Sequence, residues 1–116
     1  NKAAKVRRLI SDDFTKVFKD YDLIVGATGA STAFKIGAEI DDPKTMYMND
    51  VLTVPVNMAG LPAMSLPAGF SAEDGMPVGL QLIGKPFDEQ TIYNTGYVFE
   101  QTTDFHKKTP QLGGQN

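Results

Sequence analysis

The sequence predicts an α/β fold, because helix-type and strand-type patterns alternate along it. Apolar residues recur at steps of three and four near the N-terminus, and two short alternating segments in the second half flank an Asp74-Gly75 turn. The chain has 116 residues, of which 41% are apolar and 22% are charged. This length suffices for one small domain with one core, and the composition is not that of a disordered chain.

The first helix is predicted over residues 2–21, and a short buried strand follows over residues 22–26. The next residues, GATGASTAF (26–34), are mostly small and predict a loop. The helix is expected to pack through one apolar stripe, formed by Val6, Leu9, Ile10, Phe14, Val17, Phe18 and Tyr21.

A second helix is predicted to begin at Pro43, which suits the first helical position, with Asp42 as its N-cap. Residues 54–61 are expected to form a further helical turn. Gly60 would close this turn and Pro62 would stop it, since glycine accepts a left-handed backbone and proline cannot continue a helix.

Two strands are predicted over residues 63–68 and 78–83, joined by a turn over residues 71–77. They should therefore form an antiparallel hairpin. Gly79 lies inside the second strand, where a glycine indicates either a close backbone approach or a bulge.

The last helix is predicted to begin after Asp88, whose carboxylate would accept from Thr91, and Glu89 favours the positive end of the helix dipole. We expect one domain over residues 1–112 and a flexible tail over residues 113–116. The inner face of the last helix would consist of Ile92, Gly96, Phe99 and Thr103.

Charge and cysteine content exclude several classes of site. The formal net charge of −3 gives no general attraction to nucleic acid. The basic residues near the N-terminus could touch a phosphate backbone, but a solvated helix face explains such scattered cations better. The chain has no cysteine, which rules out disulfides and thiolate metal sites within it and fits a reducing compartment.

The sequence carries no recognised catalytic or metal-binding motif. His106 is its one histidine, is expected to be exposed, and has no serine on a G-x-S-x-G elbow to activate. No group of residues has metal-ligand spacing, and the glycine patterns of nucleotide-binding loops are absent. The GATGAST segment could wrap an anion with its backbone amides, but a tight connection is the favoured interpretation.

Asp50 is the candidate site residue, because it immediately precedes the uncharged segment TVPVNMAGLPAMSLPAGF (53–70). An acid entering such a segment is expected to be partly buried, and a buried charge needs a partner. That partner is either another residue of the protein, which makes Asp50 structural, or the ammonium group of a ligand.

The pattern T-x-P-x-N-x-A-G-L-P-A-x-S-x-P-x-G (53–69) and the segment PVGLQLIG (77–84) resemble the C-terminal part of the amidase signature family. Within it, the chain is similar to the A subunits of the glutamyl-tRNA(Gln)/aspartyl-tRNA(Asn) amidotransferases. The segments that carry this finer resemblance are KVRRLISDDF (5–14), DDPKTMYMND (41–50) and GKPFDEQTIY (84–93). The resemblance implies the C-terminal part of the amidase signature α/β/α fold, a mixed sheet flanked by helices.

The resemblance implies a subunit that releases ammonia from glutamine through a Ser–cis-Ser–Lys triad in a Gly/Ser-rich segment. No catalytic residue of that triad lies in this chain, and Ser31, Ser65 and Ser71 do not match its signature. The chain alone should therefore be inactive. Asp50 matches the family acid that holds the α-ammonium of glutamine. The 53–70 segment is then expected to be a rigid buried turn that lines the pocket beside Asp50, with Ser65 structural.

The implied partners are the B and C subunits of the amidotransferase and, through the complex, misacylated tRNA, in the cytoplasm and without a membrane. No cofactor is expected on this chain, because ATP and Mg would be used by a partner subunit. Two alternatives stay open, a stand-alone amidase and a non-catalytic module that docks on partner subunits. GATGAST departs from the family pattern, since Ala27 and Ala30 stand where proline is usual, and this loop should be less rigid.

Overall fold

The computed structural model describes residues 1–38 and 43–112 and contains helices and strands in the predicted order. The α/β class is thereby confirmed. The predicted cap Asp42 and the tail over residues 113–116 lie outside the described residues. The elements are α1 (Lys2–Val17), β1 (Leu23–Ala27), α2 (Pro43–Asp50), α3 (Val54–Ala59), β2 (Ala63–Phe70), β3 (Pro77–Gly84), α4 (Glu89–Thr102) and a final 3-10 turn (Phe105–Lys107).

The strands form one three-stranded sheet in the order β1-β3-β2, with β3 in the centre. Both pairings are antiparallel, so the described residues show no parallel pairing of the mixed sheet that the resemblance implies. The predicted β2–β3 hairpin is confirmed. A register shift between Pro67 and Phe70 lets β2 run two residues beyond its predicted end.

Helices cover both faces of the sheet, as an α/β/α arrangement requires. Because side chains alternate along a strand, neighbouring residues of β3 face opposite layers. Ile83 packs towards α1 and α3, and Leu82, which is 1% exposed, packs towards α4. The cluster on the α1 and α3 side is Phe18, Val56 and Ile83, and the cluster on the α4 side is Leu66, Leu82 and Ile92.

The predicted helix ends are confirmed where the local chemistry is strong. Gly60 ends α3 with φ +69, a left-handed conformation that costs glycine little. The Asp88 carboxylate caps α4 by accepting from the Thr91 hydroxyl at 2.7 Å and from its N–H at 3.4 Å. Sequence reasoning missed the cap of α1, where the Asn1 side chain accepts from the Ala3 N–H at 3.0 Å.

The N-terminal helix is shorter and less buried than predicted. It ends at Val17, four residues early, because the chain turns there and directs Phe18 into the core. Leu9 is 64% exposed, and none of the residues of α1 is buried. The prediction of a buried first strand is also wrong, since Val25 is 57% exposed on an edge strand that α4 does not cover.

No helix in the part of the chain that the structure describes has the length and apolar character needed to cross a membrane.

The exposed apolar side chains of α1 and β1 predict that the chain binds apolar ligands on its surface. The 116-residue chain made alone should bind a fluorescent hydrophobic dye, because Leu9 on the α1 side of the sheet and Val25 on the α4 side are both more than half exposed. Leu9→Gln combined with Val25→Thr should lower the dye fluorescence while the urea midpoint stays unchanged. Lys2→Gln, at an exposed polar position of the same helix, is the matched control. A wild-type chain that does not bind the dye would contradict this account.

Candidate functional site

A cleft of about 330 Å³ lies between α3 and the sheet, and Thr53 and Asn57, which follow Asp50 in the sequence, line it. It is formed largely by the 53–70 segment, which folds as a helix followed by a strand instead of the predicted buried turn. Its lining includes no charged side chain. The polar residues that line it are Thr28, Thr53, Asn57, Ser65 and Gln81.

Gln81 forms the base of the cleft and is 6% exposed. Its side chain lies on the face of β3 that Ile83 also occupies, where an apolar residue is expected. Its amide Nε2 donates to the Leu52 carbonyl at 3.1 Å and to the Ala27 carbonyl at 3.4 Å. The amide therefore joins the end of β1 to the connection between α2 and α3.

A pair of hydroxyl groups closes the cleft beside Gln81. Thr28 Oγ1 and Ser65 Oγ lie 2.7 Å apart and share a hydrogen bond across β3. They meet over Gly79, where an added Cβ would lie 2.8 Å from each oxygen. The groups that approach Gly79 are side-chain hydroxyls and not the backbone that was predicted, and Ser65 contributes to the structure through this bond.

The GATGAST loop is fastened to the hairpin turn. The Thr32 hydroxyl donates to the Asp74 carboxylate at 2.6 Å, and the Met76 N–H donates to the same carboxylate at 3.0 Å. These hydrogen bonds, with the Thr32 bond first, lower the pKa of Asp74 because they stabilise its ionised form. The loop thus has a fixed attachment despite Ala27 and Ala30.

Asp50 is the last residue of α2 and is exposed, so the expectation that it is partly buried is wrong. The reason is that α2 lies apart from the two packed layers and keeps most of its described side chains exposed. The Asp50 carboxylate does not line the cleft. Its main-chain carbonyl accepts from the Thr53 N–H at 3.0 Å and from the Thr53 hydroxyl at 3.2 Å, and Thr53 does line it.

His106 is half-buried, so the expectation that it is exposed is wrong. The 3-10 turn that carries it packs against β2, with Phe105 next to Gly69. His106 lines an apolar cavity of about 430 Å³, and its Nδ1 atom is buried there without a hydrogen-bond partner among the described residues. This cavity lies on the far side of the hairpin turn and shares no lining residue with the cleft.

Across residues 1–38 and 43–112, acids and the histidine form no cluster that could hold a metal ion. Sequence reasoning missed Gln81 and Thr28 as parts of the cleft. A signal for Gln81 was present, because VGLQLI places a polar side chain on an inward face of a strand. No signal existed for Thr28. It meets Ser65, 37 residues away in the sequence, because β1 and β2 both pair with β3.

Comparisons with known proteins agree with the geometry. The family described as Amidase matches residues 1–93. The A subunit of a glutamyl-tRNA(Gln) amidotransferase from Limosilactobacillus reuteri is 88% identical over 116 residues, which are all of this chain and 24% of that protein. The same subunit from Lactiplantibacillus plantarum is 63% identical over 116 residues, 23% of its length. The chain therefore spans less than a quarter of these relatives.

Solved structures confirm the fold. A crystal structure of the A subunit of the glutamyl-tRNA(Gln) amidotransferase from Thermotoga maritima matches with a TM-score of 0.82 and 48% identity, covering 89% of this chain and 22% of that one. A protein from a vestigial complex that bears on the evolutionary origins of an s-triazine catabolic enzyme matches with a TM-score of 0.76 and 29% identity. It covers 90% of this chain and 24% of that one.

The hydroxyl pair predicts a specific intolerance at Gly79. Gly79→Ala should lower the free energy of unfolding by about 1–3 kcal/mol, because the new methyl group overlaps both hydroxyls. Gly26→Ala, a neighbouring strand position where an added Cβ meets nothing within 4 Å, should change it by less than about 0.5 kcal/mol. Urea unfolding of both variants measures the difference, and equal effects would contradict the proposed overlap.

The attachment of the loop predicts a change in acid titration. Thr32→Val should raise the pKa of Asp74 towards its ordinary value, because the main stabilising hydrogen bond is lost. A lowered folded-state pKa contributes stability above the unfolded-state value, and this contribution is lost as pH falls through the folded-state pKa. Carboxyl NMR titration measures the shift. Thr32→Ser keeps the hydroxyl and should retain the lowered pKa, and an unchanged pKa in Thr32→Val would disprove the cause.

Proposed function

The chain belongs to the amidase family, and on this premise we propose that it forms the C-terminal part of the glutamine-hydrolysing subunit of a tRNA-dependent amidotransferase. The observation that carries the proposal is the 88% identity, along the whole of this chain, to the A subunit of a glutamyl-tRNA(Gln) amidotransferase. The parent subunit would release ammonia, which the complex would use to convert misacylated Glu-tRNA(Gln) or Asp-tRNA(Asn) to the amide form.

In this proposal the chain supplies substrate binding and the fold, and the chemistry takes place on residues outside it. Acyl transfer needs a serine activated by a base and donors for the oxyanion. The Gly/Ser-rich signature that carries the Ser–cis-Ser–Lys triad is absent from this sequence, so the chain made alone is expected to be inactive. Asp50 is proposed as the carboxylate that binds the α-ammonium group of glutamine.

The exposure of Asp50 leaves its carboxylate accessible to a ligand. A structural acid would be expected to pair with a residue nearby, yet within the described part of the chain the Asp50 carboxylate has no ion pair. A charge-assisted hydrogen bond between a carboxylate and an ammonium group is among the stronger polar interactions available. Asp50 stands free to make one.

The proposed function also implies a set of partners for the parent subunit. The B and C subunits would be the protein partners, misacylated tRNA would be bound through the complex, and ATP and Mg would be used in a partner subunit. No cofactor is proposed for this chain, and the cytoplasm is the proposed location.

One assay of ammonia release distinguishes the proposed function from two alternative functions. A stand-alone amidase of the same family would hydrolyse simple amides, and a non-catalytic docking module would hydrolyse none. The parent subunit, purified with its partners, should release ammonia from glutamine in a coupled glutamate dehydrogenase assay. Turnover of a simple amide without turnover of glutamine would support the stand-alone amidase. Hydrolysis of neither would support the docking module.

Asp50→Ala in the parent subunit should raise the KM for glutamine by about 10- to 100-fold, as expected when a charged hydrogen-bonding partner is removed. Its thermal midpoint should not change, because the side chain is exposed and unpaired in this structure. Asp104→Ala removes another exposed carboxylate, which pairs only with Lys107, and serves as the control. An unchanged KM in Asp50→Ala would return Asp50 to a structural role.

A further inference from the structure

The helix that carries Asp50 is attached to the rest of the chain at its C-terminal end. The main packing contacts of the described residues join the strands to one another, α1 to α3, α4 to the sheet and the 3-10 turn to β2, and α2 takes part in none of them. Residues 51–53, which lead from α2 into α3, are therefore a place where the described structure constrains the position of Asp50.

Two sets of hydrogen bonds hold this connection. Thr53 bonds back to the Asp50 carbonyl through its N–H and its hydroxyl, which fixes the connection to the end of α2 but not to the sheet. The Gln81 amide bonds to the Leu52 carbonyl, two residues after Asp50, and is itself anchored in the central strand. This bond is the polar link that the described residues provide between the connection and the sheet.

The surroundings of Gln81 favour this bond. Gly26 and Ser65 lie opposite Gln81 on the two neighbouring strands, so its side chain sits in the middle of the sheet. Because Gln81 is almost fully buried, water would replace its bonds to the two carbonyls poorly. A residue without a donor at this position would leave the Leu52 carbonyl unpaired and the connection free to shift.

We propose that Gln81 is a positioning residue for glutamine binding, holding the Asp50 carboxylate in place through the Leu52 carbonyl. This inference rests on the proposed function of Asp50 and extends it to a residue in the core. A displacement of about 1 Å in a positioned binding group is enough to weaken productive binding strongly. Gln81 would therefore affect the affinity for glutamine without touching it.

The test is Gln81→Met in the parent subunit in complex with its partners. Methionine has a similar size and no donor, so the Asp50 carboxylate is no longer held in place, and the KM for glutamine should rise about 5- to 30-fold, less than when the carboxylate is removed, while kcat changes less than about twofold. Leu82→Val, in the next residue of the strand and on its opposite face, is the matched control. It should lower the unfolding midpoint and leave KM unchanged.

A double variant separates positioning from general destabilisation. Once Asp50→Ala has removed the carboxylate, adding Gln81→Met should raise KM by less than about twofold, because no group is left to position. Additive effects would overturn the proposal. Hydrogen exchange at the Thr53 amide should also accelerate in Gln81→Met relative to the β3 amides, whereas a purely structural role would accelerate both.

A second variant covers the case in which Gln81→Met does not fold, and the assay of the wild-type complex distinguishes failure of the Gln81 proposal from failure of the proposed function. Should Gln81→Met not yield a folded complex, Gln81→Leu, which is uncharged, close in size and has no donor, provides the same readouts. A wild-type complex that hydrolyses glutamine, with a variant of unchanged KM, overturns the role of Gln81 and leaves the proposed function intact. A wild-type complex that releases no ammonia from glutamine overturns the proposed function itself.

Discussion

The central strand β3 is the constraint on which the rest of the structure depends. It pairs with β1 on one side and β2 on the other, and it gives residues to the cores on both faces of the sheet. Ile83 belongs to the core cluster on one face of the sheet and Leu82 to the cluster on the other face. At Gly79 and Gln81 the same strand departs from an apolar pattern: Gln81 lines the cleft, and Gly79 lies beneath the hydroxyl pair of Thr28 and Ser65, which also line it. Packing and the candidate site are therefore built on one strand.

The two departures act differently on the cleft. Gly79 provides space, so that hydroxyl groups from the two outer parts of the sheet meet across β3. Gln81 provides donors, which bind main-chain carbonyls at the end of β1 and after α2. The result is a neutral cleft with fixed walls beside a helix whose terminal acid is exposed. In the proposed function the exposed acid would bind the α-ammonium group of glutamine, and the α-carboxylate of glutamine would need a cationic partner beyond the residues that line this cleft.

Much of the fold follows from local sequence signals. The glycine at the end of α3, the Asp88 cap and the Asp74-Gly75 hairpin turn were all predicted, because each depends on backbone chemistry within a few residues. The burial of α1 and β1 was not predicted correctly. Periodicity shows which face of an element is apolar, but it does not show whether this chain supplies the group that covers that face.

The candidate site was predictable only in part. Asp50 was found through its position before an uncharged segment and through family resemblance, but its exposure depends on where α2 lies in space. The roles of Thr28 and Gln81 arise from register between strands distant in sequence, which a single sequence does not reveal. His106 became half-buried for the same reason, through the packing of its turn on β2.

The central claim is that Asp50 binds the α-ammonium group of glutamine. The most direct test compares kcat/KM for glutamine with that for its analogue without the α-amino group, using the parent subunit in its complex. The account predicts that wild type prefers glutamine by at least about 10-fold and that Asp50→Ala loses this preference, because the charged hydrogen bond no longer forms. Equal preference in wild type and in Asp50→Ala would contradict the claim.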